Sequence, residues 1–153
     1  MGKTVSVAAI QQGTVIDHIP AGQALKIVYL LQLEQQGCRV TIGLHLSSSS
    51  LHHKDIIKIE NRFLSEKEAQ DIAVFAPNAT INIIKNYKVS AKIKAKLPPT
   101  VKGILLCPNP RCITKHDNVD TVFLVEEFKQ KVHLHCYYCE KVFERDEIKE
   151  YRV

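Results

Sequence analysis

Four cysteines in two close pairs constrain this chain more than any other feature: Cys107 and Cys112 in CPNPRC, and Cys136 and Cys139 in CYYC. Two such pairs, separated by a run that can form a hairpin, match the ligand arithmetic of a structural metal site. Zn²⁺ takes four thiolate or imidazole ligands in a tetrahedron, with Zn–S near ~2.3 Å. The two residues between Cys136 and Cys139 let a tight turn aim both sulfurs at one point. Pro108 and Pro110 stiffen the wider turn, because each fixes its own φ. The other reading of these residues is two disulfides, or four ordinary buried thiols. The spacing favours one zinc ion per chain. Four cysteines leave no open coordination position, so its role is structural rather than catalytic.

A chain of 153 residues holds one domain or two small ones. Hydrophobic content of 45% and charged content of 24% are those of a soluble globular protein. The stretch from Met1-Gly2-Lys3 shows no long apolar segment and no small-residue cleavage site, so a signal peptide is not expected. The densest apolar run, Ile27 to Leu33, contains Gln32 and is too short to span a bilayer, so no membrane partner is expected either. Cysteines in metal spacing point to a reducing compartment, and the expected location is the cytoplasm. Cys38 stands outside the metal set and reads as a partly buried free thiol.

The net charge of +5 is unevenly placed. Residues 1–98 carry 12 Lys and Arg against 7 Asp and Glu, whereas residues 99–153 carry 9 of each. A zinc ribbon that binds nucleic acid should itself be basic, because phosphate neutralisation dominates such affinity. The excess therefore points to an anionic ligand on the N-terminal half, or simply to solubility.

Along the chain, Thr4 to Ile10 is β-branched and weakly alternating, which predicts a strand, and Thr14 to Asp17 continues as a second extended piece after Gly13. Pro20 suits the first turn of a helix from Ala21 to about Glu34, with Ala24, Ile27, Val28 and Leu31 at helical spacing and Gly37 as the stop. Arg39 to Leu46 predicts a strand with Val40, Ile42, Leu44 and Leu46 on one face. Lys54 to Glu60 predicts the next. Ser65 and Glu68 form a capping box for a helix carrying Ala69, Ile72, Ala73 and Phe75, stopped at Pro77. Thr80 to Ile84 is a strand. Tyr87 to Leu97 alternates throughout, with Tyr87, Val89, Ala91, Ile93, Ala95 and Leu97 on the core side and Lys88, Ser90, Lys92, Lys94 and Lys96 on the other. The order strand, helix, strand, strand, helix, strand, with an extra terminal strand, is that of an α+β, ferredoxin-like βαββαβ domain. Pro98-Pro99 makes the best boundary, giving domains of 1–98 and 99–153. Beyond it, Thr121 to Phe128, Lys131 to Cys136 and a strand beginning at Val142 predict a zinc-ribbon-like β unit, followed by a short helix over Arg145 to Arg152. So small a unit buries little core, and metal is expected to supply folding free energy.

Candidate catalytic chemistry is sparse. There is no Gly-rich phosphate loop and no nucleophile elbow. Asp17-His18 would serve as an acid–base pair and His52-His53 as a metal pair, but isolated histidines are more often surface or satisfied core groups. A binding reading has more behind it. Lys54 and Lys58 share one strand face, as do Lys92 and Lys94, and converging lysines hold a triphosphate as flexible point charges. Asp17 would accept hydrogen bonds from a sugar or base amino group, and Asn82 offers both a donor and an acceptor to a base edge. From pattern alone a solvated lysine face is the plainer explanation. A zinc-ribbon nucleic-acid-binding module is the rival reading, supported by the cysteines and the basic pI. It is opposed by the neutral zinc half and by the absence there of an aromatic stripe to stack on bases, apart from Tyr137-Tyr138.

The blocks GTVIDHIP (Gly13 to Pro20), TIGL (Thr41 to Leu44), KDIIKIEN (Lys54 to Asn61), FLSE (Phe63 to Glu66) and APNATIN (Ala76 to Asn82), in this order before the two cysteine pairs, resemble the regulatory chain of aspartate carbamoyltransferase. The resemblance covers nearly the whole chain. It implies a non-catalytic subunit of pyrimidine biosynthesis that pairs with itself through its N-terminal domain. Three such dimers would link two catalytic trimers into a dodecamer, with the zinc domain contacting the catalytic chains. It also implies CTP as feedback inhibitor, ATP as activator, UTP reinforcing CTP in some members, and no nucleic-acid partner.

Carried onto the matching positions, the resemblance implies a nucleotide site of Val7, Ala9, Ile10, Asp17, His18, Lys54, Lys58, Asn82, Ile84, Tyr87, Val89 and Lys92. Lys92 and the backbone around Ala9–Ile10 and Tyr87–Val89 would lie at the base and phosphate ends of the ligand. The zinc ligands would be Cys107, Cys112, Cys136 and Cys139. The chain departs from the family pattern at Ala8, where an acidic residue is common, and at SSSSLHH (Ser47 to His53), which replaces a Gly-containing loop. Both departures bear on which nucleotide acts and in which direction.

Overall fold

The computed structural model describes residues 9–49, 52–129 and 131–149. The backbone falls into two compact units, Met1–Lys96 and Leu97–Val153. The first contains β1 (Gly13–Pro20), α1 (Ala24–Leu30), β2 (Val40–Ser48), β3 (His52–Glu60), α2 (Glu66–Phe75), β4 (Thr80–Lys85) and β5 (Lys88–Lys94). Its strands form one antiparallel sheet in the order β2-β3-β1-β4-β5. This is the expected α+β, ferredoxin-like arrangement, with β5 added beyond β4 by a tight turn.

The register aligns residues in rows that cross all five strands. One row consists entirely of isoleucine: Ile42, Ile57, Ile16, Ile81 and Ile93. Its three central members are fully buried. The helices supply the other side of this core through Ala24, Ile27 and Val28 of α1 and Ala69, Ile72 and Ala73 of α2. Side chains alternate across a strand, so the next row, Thr41, Lys58, Val15, Asn82 and Lys92, faces the opposite way. The helix N-terminus that the sequence marks at Ser65 is present in full: Ser65 Oγ accepts from Glu68 N at 3.2 Å and Glu68 Oε1 accepts from Ser65 N at 3.0 Å.

Several elements differ from the sequence pattern, each for a local reason. Pro20 closes β1, paired with Lys54, rather than opening a helix. The helix starts at Ala24, because the Asp55 carboxylate takes the backbone N–H groups of Gly22 and Ala24 at 2.9 and 3.2 Å and holds the preceding turn open. It ends at Leu30, not near Glu34. Gln32 adopts φ 53°, breaking the α ladder, and a 3₁₀ turn over Leu33–Gln35 then buries Leu33. The strict alternation read into β2 fails at Leu44, which is half exposed. A register shift lies between Gly43 and Leu46, and His45 at φ 59° gives its N–H to Asp55 Oδ1 at 2.9 Å.

The unbroken alternation from Tyr87 to Leu97 also fails. β5 stops at Lys94, is exposed along its length, and carries a bulge between Ile83 and Ile84 of its partner register. Tyr87 sits in the turn at φ 64° and is 66% exposed, so it does not face the core. The strand predicted over Thr4 to Ile10 lies mostly outside the described residues, and Ala9 and Ile10 are not in a strand.

The second unit is a four-stranded antiparallel meander of β6 (Thr100–Lys102), β7 (Val122–Phe128), β8 (Lys131–Cys136) and β9 (Val142–Glu144). One face buries Val101, Phe123, Leu134 and Cys136, with Leu105 and Ile148 closing over it. The predicted terminal helix is only a 3₁₀ turn over Arg145–Glu147, and residues 150–153 lie outside the described ones. Among the described residues no helix is long and apolar enough to cross a membrane.

Candidate functional site

The loop after β6 and the turn after β8 bring the four cysteines together. Asn109 organises the first turn: its Oδ1 accepts from Arg111 N at 3.1 Å and its carbonyl from Cys112 N at 3.1 Å. In the second turn Cys136 N donates to Lys141 O and Glu140 N to Cys136 O, both at 2.9 Å, with Glu140 at φ 64° reversing the chain. All four sulfurs lie within 4.8 Å of one another. Cys107 and Cys139 are 3.7 Å apart, and Cys112 and Cys136 are 3.8 Å apart.

Those separations decide between the readings of the cysteines. A disulfide needs S–S near ~2.05 Å, and all five cysteines are free. A tetrahedron with metal–sulfur bonds of ~2.3 Å has edges of about 3.8 Å. The donor set therefore fits a tetrahedral thiolate-binding metal. Packing the four thiols together also shifts their acidity. Burial pushes the Cys107 thiol up, reinforced by its neighbours Cys139, Cys136 and Cys112, although Asn109 N–H opposes the shift. Burial also raises Cys136. Burial raises Cys139 as well, but hydrogen bonds from Asn109, Lys141 N and the adjacent cysteines outweigh it and leave Cys139 at about 7. Four thiolates so close repel one another strongly, and only a cation at their centre lets all of them ionise. A bound metal here would cross-link two loops of a unit with little core of its own.

The second candidate region is the open face of the five-stranded sheet. Lys58, Val15, Asn82 and Lys92 lie in one row on β3, β1, β4 and β5. One step along β1, Asp17 pairs with Thr80 and its Oδ1 lies 2.9 Å from Lys54 Nζ. Asp17 and Lys54 are each about one-fifth exposed. Burial by itself pushes the Asp17 carboxyl up. The Lys54 hydrogen bond, the His18 backbone N–H at 2.7 Å and the Lys54 and His18 charges outweigh it and hold the group below the usual carboxylate value. Burial pulls the Lys58 ammonium below the ordinary lysine value, opposed in part by the charge of Asp17. Asn82 Oδ1 is buried and has no hydrogen-bond partner, an acceptor aimed into this face.

The remaining described residues named from the resemblance fall around this row. Ile84 pairs with Val89 at the end of the β4–β5 hairpin. Tyr87 N donates to Gln11 O at 3.0 Å and Asn61 N to Gln12 O at 2.9 Å, so the segment of Ala9 and Ile10 enters beside the hairpin. His18 Nδ1 meets Thr80 Oγ1 at 3.2 Å. Val7 and Ala8 lie outside the described residues. The bulge matters here: it turns Val89 to the same side as Ile84 and Lys92, which strict alternation denies.

Two residues escaped the sequence reading. Thr80 is nearly buried beside Asp17 and His18. Asp55 is fully buried and ties β3 to β2 and to the start of α1 through three backbone N–H groups. Its signal was present, since it occupies a core-facing position of an otherwise apolar strand period.

Residues 5–96 match the allosteric domain of the aspartate carbamoyltransferase regulatory chain, and residues 99–149 match its metal-binding domain. The regulatory chain of Chromobacterium violaceum is 48% identical over 152 residues, covering 99% of this chain and 100% of that one. That of Pyrococcus abyssi is 47% identical over 146 residues, covering 94% and 95%. That of Vibrio campbellii is 47% identical over 146 residues, covering 95% of both chains. With a four-cysteine metal centre in one unit and a polar sheet face in the other, the chain belongs to the aspartate carbamoyltransferase regulatory chains and is a non-catalytic regulatory subunit.

Proposed function

We propose that this subunit binds CTP as feedback inhibitor and ATP as activator on the open face of its first unit, with UTP able to reinforce CTP. The observation that carries this reading is the row Lys58, Val15, Asn82 and Lys92, flanked by Asp17 and Lys54. Lysines at both ends of the row supply charge for a triphosphate. The unpartnered Asn82 amide oxygen sits between them, suited to a base amino group. Asp17 and Lys54 lie against each other, with Oδ1 and Nζ 2.9 Å apart. A ligand that draws Lys54 to its phosphates must weaken that contact, whereas one that only hydrogen-bonds Asp17 can use the second carboxylate oxygen and leave the pair in place.

The regulatory mechanism is linkage. CTP must bind the low-activity assembly more tightly, and ATP the high-activity one, because equal affinity shifts nothing. In the second unit the metal is zinc, and its role is to hold the fold that joins two catalytic trimers through three regulatory dimers. Self-association is supported by the contrast between the two sheet edges. β5 carries Lys88, Lys92 and Lys94, which discourage pairing, while Val40–Ser48 of β2 contains no Asp, Glu, Lys or Arg.

Calorimetric titration of CTP into the zinc-loaded chain, repeated with a short single-stranded RNA, tests the reading. Saturable CTP binding with weak, salt-erased RNA binding supports it. Tight RNA binding with no CTP heat would replace it with a nucleic-acid-binding module. A trimer-linking role for zinc fails if the chelated protein still holds catalytic trimers together.

A further inference from the structure

The second unit has another face besides the one that packs its core. Leu134 and Cys136 of β8 point inward and are fully buried, so His133 and His135 point outward, two residues apart on the same strand face. The register places His133 directly opposite Glu126 of β7 on one side and Glu144 of β9 on the other. His135 lies one step along, between Leu124 and Val142. Directly opposed residues on one sheet face hold their Cβ atoms ~4.5–5.5 Å apart. Two imidazoles and two carboxylates therefore occupy a patch of adjacent positions on the outside of the meander, on the opposite side of β8 from Cys136.

We propose that this face binds a divalent transition-metal ion of borderline softness, such as Zn²⁺ or Ni²⁺, through His133, His135 and one of the flanking glutamates. The site is separate from the four-cysteine centre. Its chemistry follows from the donors. Imidazole nitrogen with carboxylate oxygen suits zinc, nickel and copper, whereas calcium and magnesium take oxygen ligands. The two carboxylates on either side of His133 place negative charge where the cation would sit. Glu126 is exposed at the end of the row. Glu144 lies 3.6 Å from Lys131, an exposed pair that contributes little, but it also forms a capping box with Glu147 at the start of the following 3₁₀ turn, so Glu126 is the more available carboxylate.

Among the described residues only the four cysteines already hold their donor atoms within 4.8 Å of one another. The His133 ring is turned towards Phe128, with centroids 6.3 Å apart. The outer site thus assembles by side-chain rotation when the ion arrives, on a backbone already in register. It binds an exchangeable ion, in contrast to the buried thiolate centre, and it leaves coordination positions open to solvent or to a further ligand.

The test is a calorimetric titration of Ni²⁺ into the full chain loaded with one zinc, with released zinc monitored by a chromogenic chelator. The expected result is one saturable Ni²⁺ equivalent without zinc release. His133→Gln and His135→Gln should each weaken it by at least about tenfold, the lower end of what losing even an outer partner of a metal site costs. Retained zinc and unchanged circular dichroism would show that both variants fold. His53→Gln, in the first unit, should leave the titration unchanged. The proposal is overturned if no saturable equivalent is seen, if nickel displaces zinc mole for mole, if both outer-histidine variants bind as before, or if His53→Gln removes the binding.

Discussion

The two units stabilise themselves by different means. In the first, a row of five isoleucines crosses the sheet and two helices bury its centre. In the second, two of the four strands are only three residues long, and four cysteines gather at one end of the sheet. The first distributes its stability over many apolar contacts, each modest. The second gathers four thiols at a point where one metal ion would tie its loops together. The contrast shows up in what each leaves for function. Because the helices among the described residues cover one face of the first sheet, its other face can carry charged and polar groups.

Metal removal should break the comparison most sharply. Structural zinc supplies roughly 10–16 kcal/mol of apparent binding free energy in small metal-folded peptides at neutral pH. Chelation, or Cys136→Ala, should collapse the second unit while the first keeps its sheet. Hydrogen exchange read segment by segment would show protection lost over residues 97–149 and retained over β1, β3 and β4. Equal loss in both units would mean that the first also depends on the metal.

The converse experiment is Ile57→Ala. It removes a fully buried side chain from the isoleucine row and should cost about 2–5 kcal/mol in the first unit. Metal content measured on the folded variant should stay at one ion per chain. A much smaller loss in denaturant melts would show that the row can collapse around the gap.

On the open face, Lys58→Ala and Lys92→Ala should each weaken nucleotide binding by about 1.5–3 kcal/mol, the scale of charge-assisted hydrogen bonds. Calorimetry would show it, and unchanged affinity in both variants would move the ligand elsewhere. Ser65→Ala removes the α2 cap and should cost ~1 kcal/mol of stability with nucleotide affinity unaltered, because the cap serves only the helix.

The smallest effect concerns pH. The Asp17 carboxyl is held below its ordinary value, so the folded state binds that proton less readily than the unfolded one. Its contribution is present above the unfolded value, near ~3.9, and disappears as pH falls through the lower folded value. Acid unfolding of Asp17→Asn should therefore begin from a slightly lower stability at neutral pH and fall less steeply below about pH 4 than that of the parent chain. Parallel acid limbs in the two proteins would show that the Lys54 contact contributes nothing to folding.

Sequence and structure divided the decisions along physical lines. Period and spacing carried whatever depends on neighbours in the chain. The cap at Ser65, the stop at Pro77, the strand over Lys54 to Glu60 and the grouping of four cysteines all follow from local geometry, and all stand in the structure. The family, too, was legible, because long blocks of residues kept their order and spacing. What period reasoning missed was every place where a distant group takes over the backbone. Asp55 reaches the start of α1 and the bulge of β2, cutting the helix short and turning Leu44 outward. The shift between Ile83 and Ile84 turns Val89 to the side of Lys92 and leaves Tyr87 exposed in the turn. A bulge reverses the facing of the residues beyond it, and it is set by pairing across strands, which no one-dimensional pattern contains. The sequence by itself determined which residues bring thiols and charge. Only the tertiary structure, through strand register, decided that Lys58, Asn82 and Lys92 share one row and that His133 stands between two glutamates.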